Sequence, residues 1–211
     1  MASRSEKKES IRTQIISAAQ VYGTELAGKD FLYVFGERYF QLRFKRESFM
    51  HLTGVASYLN SRRFYDYAKR AILTTRQFYF STEHSYDGAK KKLPCLIRLP
   101  ELTNSLVCVI EDLRTVTLTY KIGVTNLLFT LGLTENTNEE GQKLDDFYLP
   151  RTLRVNDHSI ENSSDGEFID FIFSKDSSMD KYDTVCFSDE GKTVPDEVKG
   201  YLSPELVAEL D

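Results

Sequence analysis

The chain has 211 residues, 41% of them hydrophobic, and a formal net charge of -5 at pH 7. That length supports one sizeable core without disulfide help, and three widely separated cysteines, Cys95, Cys108 and Cys186, fit a reducing compartment better than a disulfide framework or a zinc site. No apolar run approaches the ~20 residues of a membrane helix, and the polar start lacks an apolar stretch, so a cytoplasmic protein with no membrane contact is expected.

Apolar residues from Ile11 to Leu26 recur at helical spacing and predict an amphipathic helix over Ser10 to Ala27, stopped by Gly28. Two aromatic-rich runs, Phe31 to Phe35 and Tyr39 to Phe44, flank Gly36-Glu37-Arg38 and read as a hairpin. A helix capped at Glu47 or Ser48 follows, with His51 expected in its first turn. A second helical pattern covers Ser57 to Leu73, and a weaker one runs from Asp87 toward Leu99, where Pro94 predicts a kink or an end near Leu93. After Pro100 the pattern changes to strands at 106–110, 115–122 and 125–133, with a turn at Gly123-Val124. A polar loop over Asn136 to Gln142 precedes a strand over Phe147 to Arg154. A loop over Glu161 to Gly166 and strands at 168–173 and 182–187 follow. The chain closes with a short helical pattern over Pro204 to Leu210. The sum is an α+β protein with N-terminal helices packed on a mainly antiparallel β-sheet: a single domain over residues 1–195 and an acidic C-terminal segment over 196–211.

Charge is segregated along the chain. Up to Thr130 there are 20 Lys/Arg against 12 Asp/Glu, a net of +8; from Leu131 onward there are 7 against 20, a net of -13. A basic first part suits a phosphate backbone, whereas an acidic second part suits a protein partner, an inhibitor or mimicry of nucleic acid; solvated helix faces would give the same count. Arg62, Arg63, Lys69 and Arg70 interleave with aromatic residues on the second helical pattern, which suits either phosphate pairing or an ordinary core stripe with charged flanks.

The glycines form no phosphate-binding loop, and H-E-x-x-H and G-x-S-x-G patterns are absent. His51, His84 and His158 have no metal-ligand spacing, so no cofactor is expected. What remains is the kit of a metal-independent ribonuclease: a base for the 2′-hydroxyl, a cation for the crowded phosphorane, and an acid for the leaving oxygen. His51 serves as base or acid, or else as a packed residue bonding a nearby carbonyl. Lys121, on the polar face of a predicted strand, and Arg151 and Arg154, around Thr152, supply charge, although Arg151 could equally pair with Asp145 or Asp146.

The run Phe44-Lys45-Arg46-Glu47-Ser48-Phe49-Met50-His51-Leu52-Thr53-Gly54-Val55, followed by Phe64-Tyr65, resembles the signature of a phage- and mobile-element-associated family of the barnase/EndoU/colicin/RelE-like nuclease group. The likeness extends to the segments around Lys92-Leu93, Lys121 and Tyr148 to Leu153, with F-x-H-L-T-G as its most specific core. It implies an antiparallel sheet on N-terminal helices and a metal-independent RNase or toxin activity. It also implies catalytic roles for His51, Lys121, Arg151 and Thr152 and a substrate contact at Thr53. The alternative is a non-catalytic protein- or nucleic-acid-binding module of the same fold.

Overall fold

The computed structural model describes residues 3–114, 119–155 and 165–210. Helix α1 (Arg4–Glu25) starts well before Ser10, because Ser3 and Glu6 form a reciprocal capping box that satisfies two of its first N–H groups. Its inward stripe of Ile11, Ile15, Ala18, Ala19 and Tyr22 is fully buried. Strands β1 (Lys29–Phe35) and β2 (Arg38–Arg43) form the expected hairpin around Gly36-Glu37. Gly36 there has φ +54°, a conformation that costs a residue with a Cβ.

Next come α2 (Ser48–Thr53), β3 (Ala56–Ser57), α3 (Ser61–Lys69) and β4 (Phe78–Tyr79). The predicted 57–73 helix is therefore shorter. Asn60 accepts the Arg63 N–H and sets the helix start, while β3 pairs with β4 in a small separate sheet that leaves Tyr58 74% exposed. Helix α4 (Tyr86–Ile97) runs through Pro94 instead of ending at it. Pro94 and Lys90 are both exposed, so water can satisfy the Lys90 carbonyl that loses its partner, while Leu93 and Leu96 hold the inner face.

After α5 (Glu101–Asn104) come β5 (Cys108–Arg114), β6 (Thr119–Thr125), β7 (Phe129–Thr137) and β8 (Lys143–Val155). Gly123 and Val124 lie inside β6 rather than in a turn; the reversal falls at Asn126 to Leu128, where Asn126 accepts two backbone N–H groups. Residues 115–118 and 161–164, which carry parts of a predicted strand and a predicted loop, lie outside the described residues. The predicted 168–173 strand is two: β9 (Glu167–Phe168) and β10 (Phe171–Asp176). Then follow β11 (Thr184–Ser188), α6 (Asp196–Lys199) and α7 (Pro204–Leu210).

These strands form a nine-stranded sheet in the order β11-β10-β1-β2-β8-β7-β6-β5-β9, antiparallel except where β2 meets β8. Two adjacent residues show how it curls. The Ile169 N–H donates to the Val107 carbonyl beside β5, and the Asp170 N–H donates to the Val34 carbonyl on β1. The far edge of the sheet therefore returns to its middle. Strand β1 is buried on both faces, which explains its continuous apolar run. Phe31, Tyr33 and Phe35 face the main core with the helices, while Leu32 and Val34 pack with Phe171, Phe173, Tyr182, Val198 and Leu206 under the C-terminal helices.

Part of the charge segregation seen along the sequence is offset across the fold, where Arg38 meets Glu167 and Arg43 meets Asp145. Arg38 pairs with Glu111 and Glu167, Arg43 with Asp30 and Asp145, and Lys192 with Asp170. The Arg43–Asp30 pair is bidentate at 2.7 Å on both arms, and Ser177 donates to the same fully buried carboxylate.

Candidate functional site

Helix α2 buries Ser48, Phe49, Leu52 and Thr53. Phe49 meets Tyr22, Phe64 and Tyr65 edge-on or tilted, which fixes how the short helix rolls on the core. His51 is consequently turned outward and exposed. It stands in the last turn of α2, not the first, because Gly54 at φ +75° ends the helix three residues later. A Cβ on Gly54 would lie 3.0 Å from Lys92 Cδ and 3.4 Å from Ala89 Cα, so the glycine also lets α4 approach.

Arg151 reaches His51 from a hundred residues away. Its Nη1 lies 3.4 Å from His51 Nε2. The cause is local to β8: Gly132 pairs with Thr152, and the next residue, Leu133, pairs with Pro150, so Arg151 is the extra residue of a β-bulge. A bulge re-aims the side chain it carries and tolerates a neighbouring proline that cannot donate to the ladder. Because a guanidinium has no acceptor, the contact requires an unprotonated Nε2, hence a neutral imidazole with its proton on Nδ1. Partial desolvation of the ring, then the charge of Arg151, then that of His84, lower the proton affinity of His51 below the usual 6.5. A helix C-terminus would push the other way, but one six-residue helix is outweighed. His84 sits in the loop before α4, where its N–H donates to Ser81 Oγ and the Ser81 N–H donates back to its carbonyl.

The other predicted residues disperse. Thr53 is fully buried and spends its hydroxyl on the Met50 carbonyl, at 2.7 Å, and on the Val55 N–H, so it shapes the helix end. Thr152 is 8% exposed and stands in register with Gly132. Lys121 on β6 reaches Glu135 on β7 at 3.3 Å, with 73% of its side chain exposed. Arg151 does not pair with Asp145 or Asp146, which engage Arg43 and Lys143 instead. Arg62 pairs with Glu47, Arg63 is exposed on α3, and Lys69 and Arg70 line a cleft at the end of that helix.

That cleft, of about 520 Å³, is also lined by Arg46, Tyr65 and Asp66. A second, of about 320 Å³, is lined by Arg43, Lys45, Arg46, Glu47 and Arg62. Gly28 and Arg46 belong to both. Arg46, Tyr65 and His84 were not singled out as candidate site residues from the sequence. The first two stand within the recognisable segment and could have been found there; His84 lies in a polar loop with no signal but its residue type. Among the described residues no group of three or more His, Cys, Asp or Glu is arranged to hold a metal ion, and no helix is long and apolar enough to cross a membrane.

A mainly antiparallel sheet, N-terminal helices against it and an exposed histidine–arginine pair at their junction define an α+β protein with a candidate site on that junction. The family model described as phage-Barnase-EndoU-ColicinE5/D-RelE like nuclease 4 matches residues 14–191. The chain belongs to that nuclease-like, phage-associated family. No curated protein and no solved structure matches it.

Proposed function

We propose that this chain is an endoribonuclease in which His51 moves the proton and Arg151 stabilises the phosphorane. The observation that carries this reading is the 3.4 Å approach of Arg151 Nη1 to His51 Nε2. A base at rest needs a free lone pair near neutral pH, and a lowered proton affinity keeps one available. A phosphodiester entering the site draws the guanidinium onto its non-bridging oxygens and uncovers Nε2. His51 then takes the 2′-hydroxyl proton as the 2′-oxygen attacks phosphorus. The P–O5′ bond breaks, the leaving 5′-oxygen takes a proton from the acid, and a 2′,3′-cyclic phosphate remains. His84, the other imidazole whose charge acts on His51, is the candidate acid.

The test is cleavage of an end-labelled mixed-sequence RNA by wild type, His51→Ala and Arg151→Ala, with product ends identified. Loss of a general base is expected to cost ~10²–10⁴-fold in rate. Cyclic phosphate ends that disappear in His51→Ala support the reading. Absence of cleavage by folded wild type refutes it in favour of a binding module. Induced expression extends the test to a toxin role: wild type should arrest growth and His51→Ala should not.

A further inference from the structure

We infer that the two clefts meeting at Arg46 form one track for consecutive backbone phosphates of a single RNA strand, leading to His51. Three observations converge on it. Among the described residues neither Lys69 nor Arg70 has a carboxylate within ion-pair distance, and the only acidic side chain lining their cleft, Asp66, stands 4.0 Å from Arg46. Cations crowded around a cleft with so little neutralising charge favour an anionic occupant. The second cleft shares Arg46 and adds Lys45, while its Arg43 and Arg62 are paired with Asp30 and Glu47.

Tyr65 supplies the second observation. Its side chain is 1% exposed and its hydroxyl has no hydrogen-bond partner, although it lines the cleft. Buried polar groups in native proteins are nearly always partnered, and an exception marks a place where a partner arrives. The packing shows what covers this hydroxyl. A Cβ built on Gly23 would lie 2.7 Å from Tyr65 Oη and 2.8 Å from Lys69 Cε, so the lysine stem and the hydroxyl converge on the bare backbone of α1. A phosphate drawing the Lys69 ammonium forward into the cleft lifts the stem and gives the hydroxyl an acceptor.

The third observation is direction. Glu47 lines the second cleft and has helical backbone angles, and His51 follows it by four residues. Residues at that spacing share a helix face, about 6 Å apart along the axis at 1.5 Å per residue. A strand held by Arg46 therefore passes onto the face that carries His51. One phosphate would fill one cleft; a shared arginine between two clefts fits a chain of them. The identity of the ligand rests on the ribonuclease reading, whereas the charge and geometry of the track do not.

The test uses the full chain and a short fluorescein-labelled single-stranded 2′-O-methyl RNA, which lacks the attacking hydroxyl, followed by anisotropy across a salt series. Each neutralised phosphate of a single strand contributes about 0.7 to the slope of log K against log salt, so Lys69→Ala/Arg70→Ala should lower that slope by about 1.4. Between ~50 and ~200 mM salt the double variant should then lose about 7-fold less affinity than wild type. Lys69→Arg/Arg70→Lys should keep the wild-type slope, and Tyr65→Phe should bind more weakly with the slope unchanged. A folded double alanine variant with the wild-type slope overturns the track, as does wild type that does not bind the RNA. Stronger capture of poly-glutamate than of RNA overturns the choice of ligand. Binding lost in the double variant, with no cleavage of ordinary RNA by wild type, upholds the track and removes the ribonuclease.

Discussion

Tyr22, Tyr33 and Tyr65 are buried alike, yet replacing each by phenylalanine should not have the same effect. Tyr22 Oη donates to the Lys45 carbonyl at 2.8 Å and Tyr33 Oη to the Leu102 carbonyl at 2.9 Å, whereas Tyr65 Oη has no partner. Burial raises the proton affinity of all three phenols, so each hydroxyl is neutral at any pH used for the comparison. Deleting the first two hydroxyls removes a hydrogen bond, at ~1 kcal/mol each, although the Lys45 carbonyl keeps the Ser48 N–H. Deleting the third removes only an unmet desolvation cost while the ring keeps its edge-on contacts with Tyr22 and Phe49. A stabilisation of about 1 kcal/mol should follow, or ~2–4 °C in Tm for a chain of this length. Urea unfolding of the wild type and three variants at a common m-value measures all of this. If Tyr65→Phe loses as much stability as Tyr22→Phe, its hydroxyl has a partner in solution and both the packing account and the uncovered-hydroxyl step of the phosphate track fail.

Proton NMR of the imidazoles should find His51 titrating below 6.5, and Arg151→Ala should raise it, since a repelling cation is removed. Between the folded value and 6.5 the unfolded chain binds this proton and the folded chain does not. The contribution of His51 to stability is therefore present above 6.5 and lost as pH falls through the folded value. A wild-type value at or above 6.5 would defeat the assignment of a resting neutral ring. Gly54→Ala, forced to φ +75° against Ala89 and Lys92, should cost ~1–2 kcal/mol by denaturation; a loss under ~0.5 would mean that α4 gives way. Arg43→Ala should cost ~3–5 kcal/mol because it strands the fully buried Asp30 carboxylate, and adding Asp30→Ala should recover part of the loss. Simple additivity in that cycle would show that the pair is not coupled.

The local elements were legible because their causes are local. Ile11 to Leu26 repeats at helical spacing, Gly36 sits between two aromatic runs, and Phe147 to Arg154 reads as a strand; each forms in the chain where its pattern lies. The segment from Phe44 to Gly54 likewise announced a strand end and a following helix that carries a histidine, and only the fold turned that histidine outward. Patterns failed where one residue decided between two continuations: Asn60 capped α3 and cut off the turn before it, and the apolar run around Phe171 was divided at Ile169-Asp170 by bonds to two distant strands.

The sequence by itself determined the α+β class, the hairpin and the chemistry available at His51, because propensity, periodicity and capping act over a few residues. Only the tertiary structure decided that a bulge on β8 brings Arg151 to that histidine and that Arg46 lines two clefts. It also buried Thr53 and gave Lys121 a carboxylate partner. Those outcomes depend on strand order and register across separations of up to a hundred residues, and such contacts leave no periodic mark on the segments that make them.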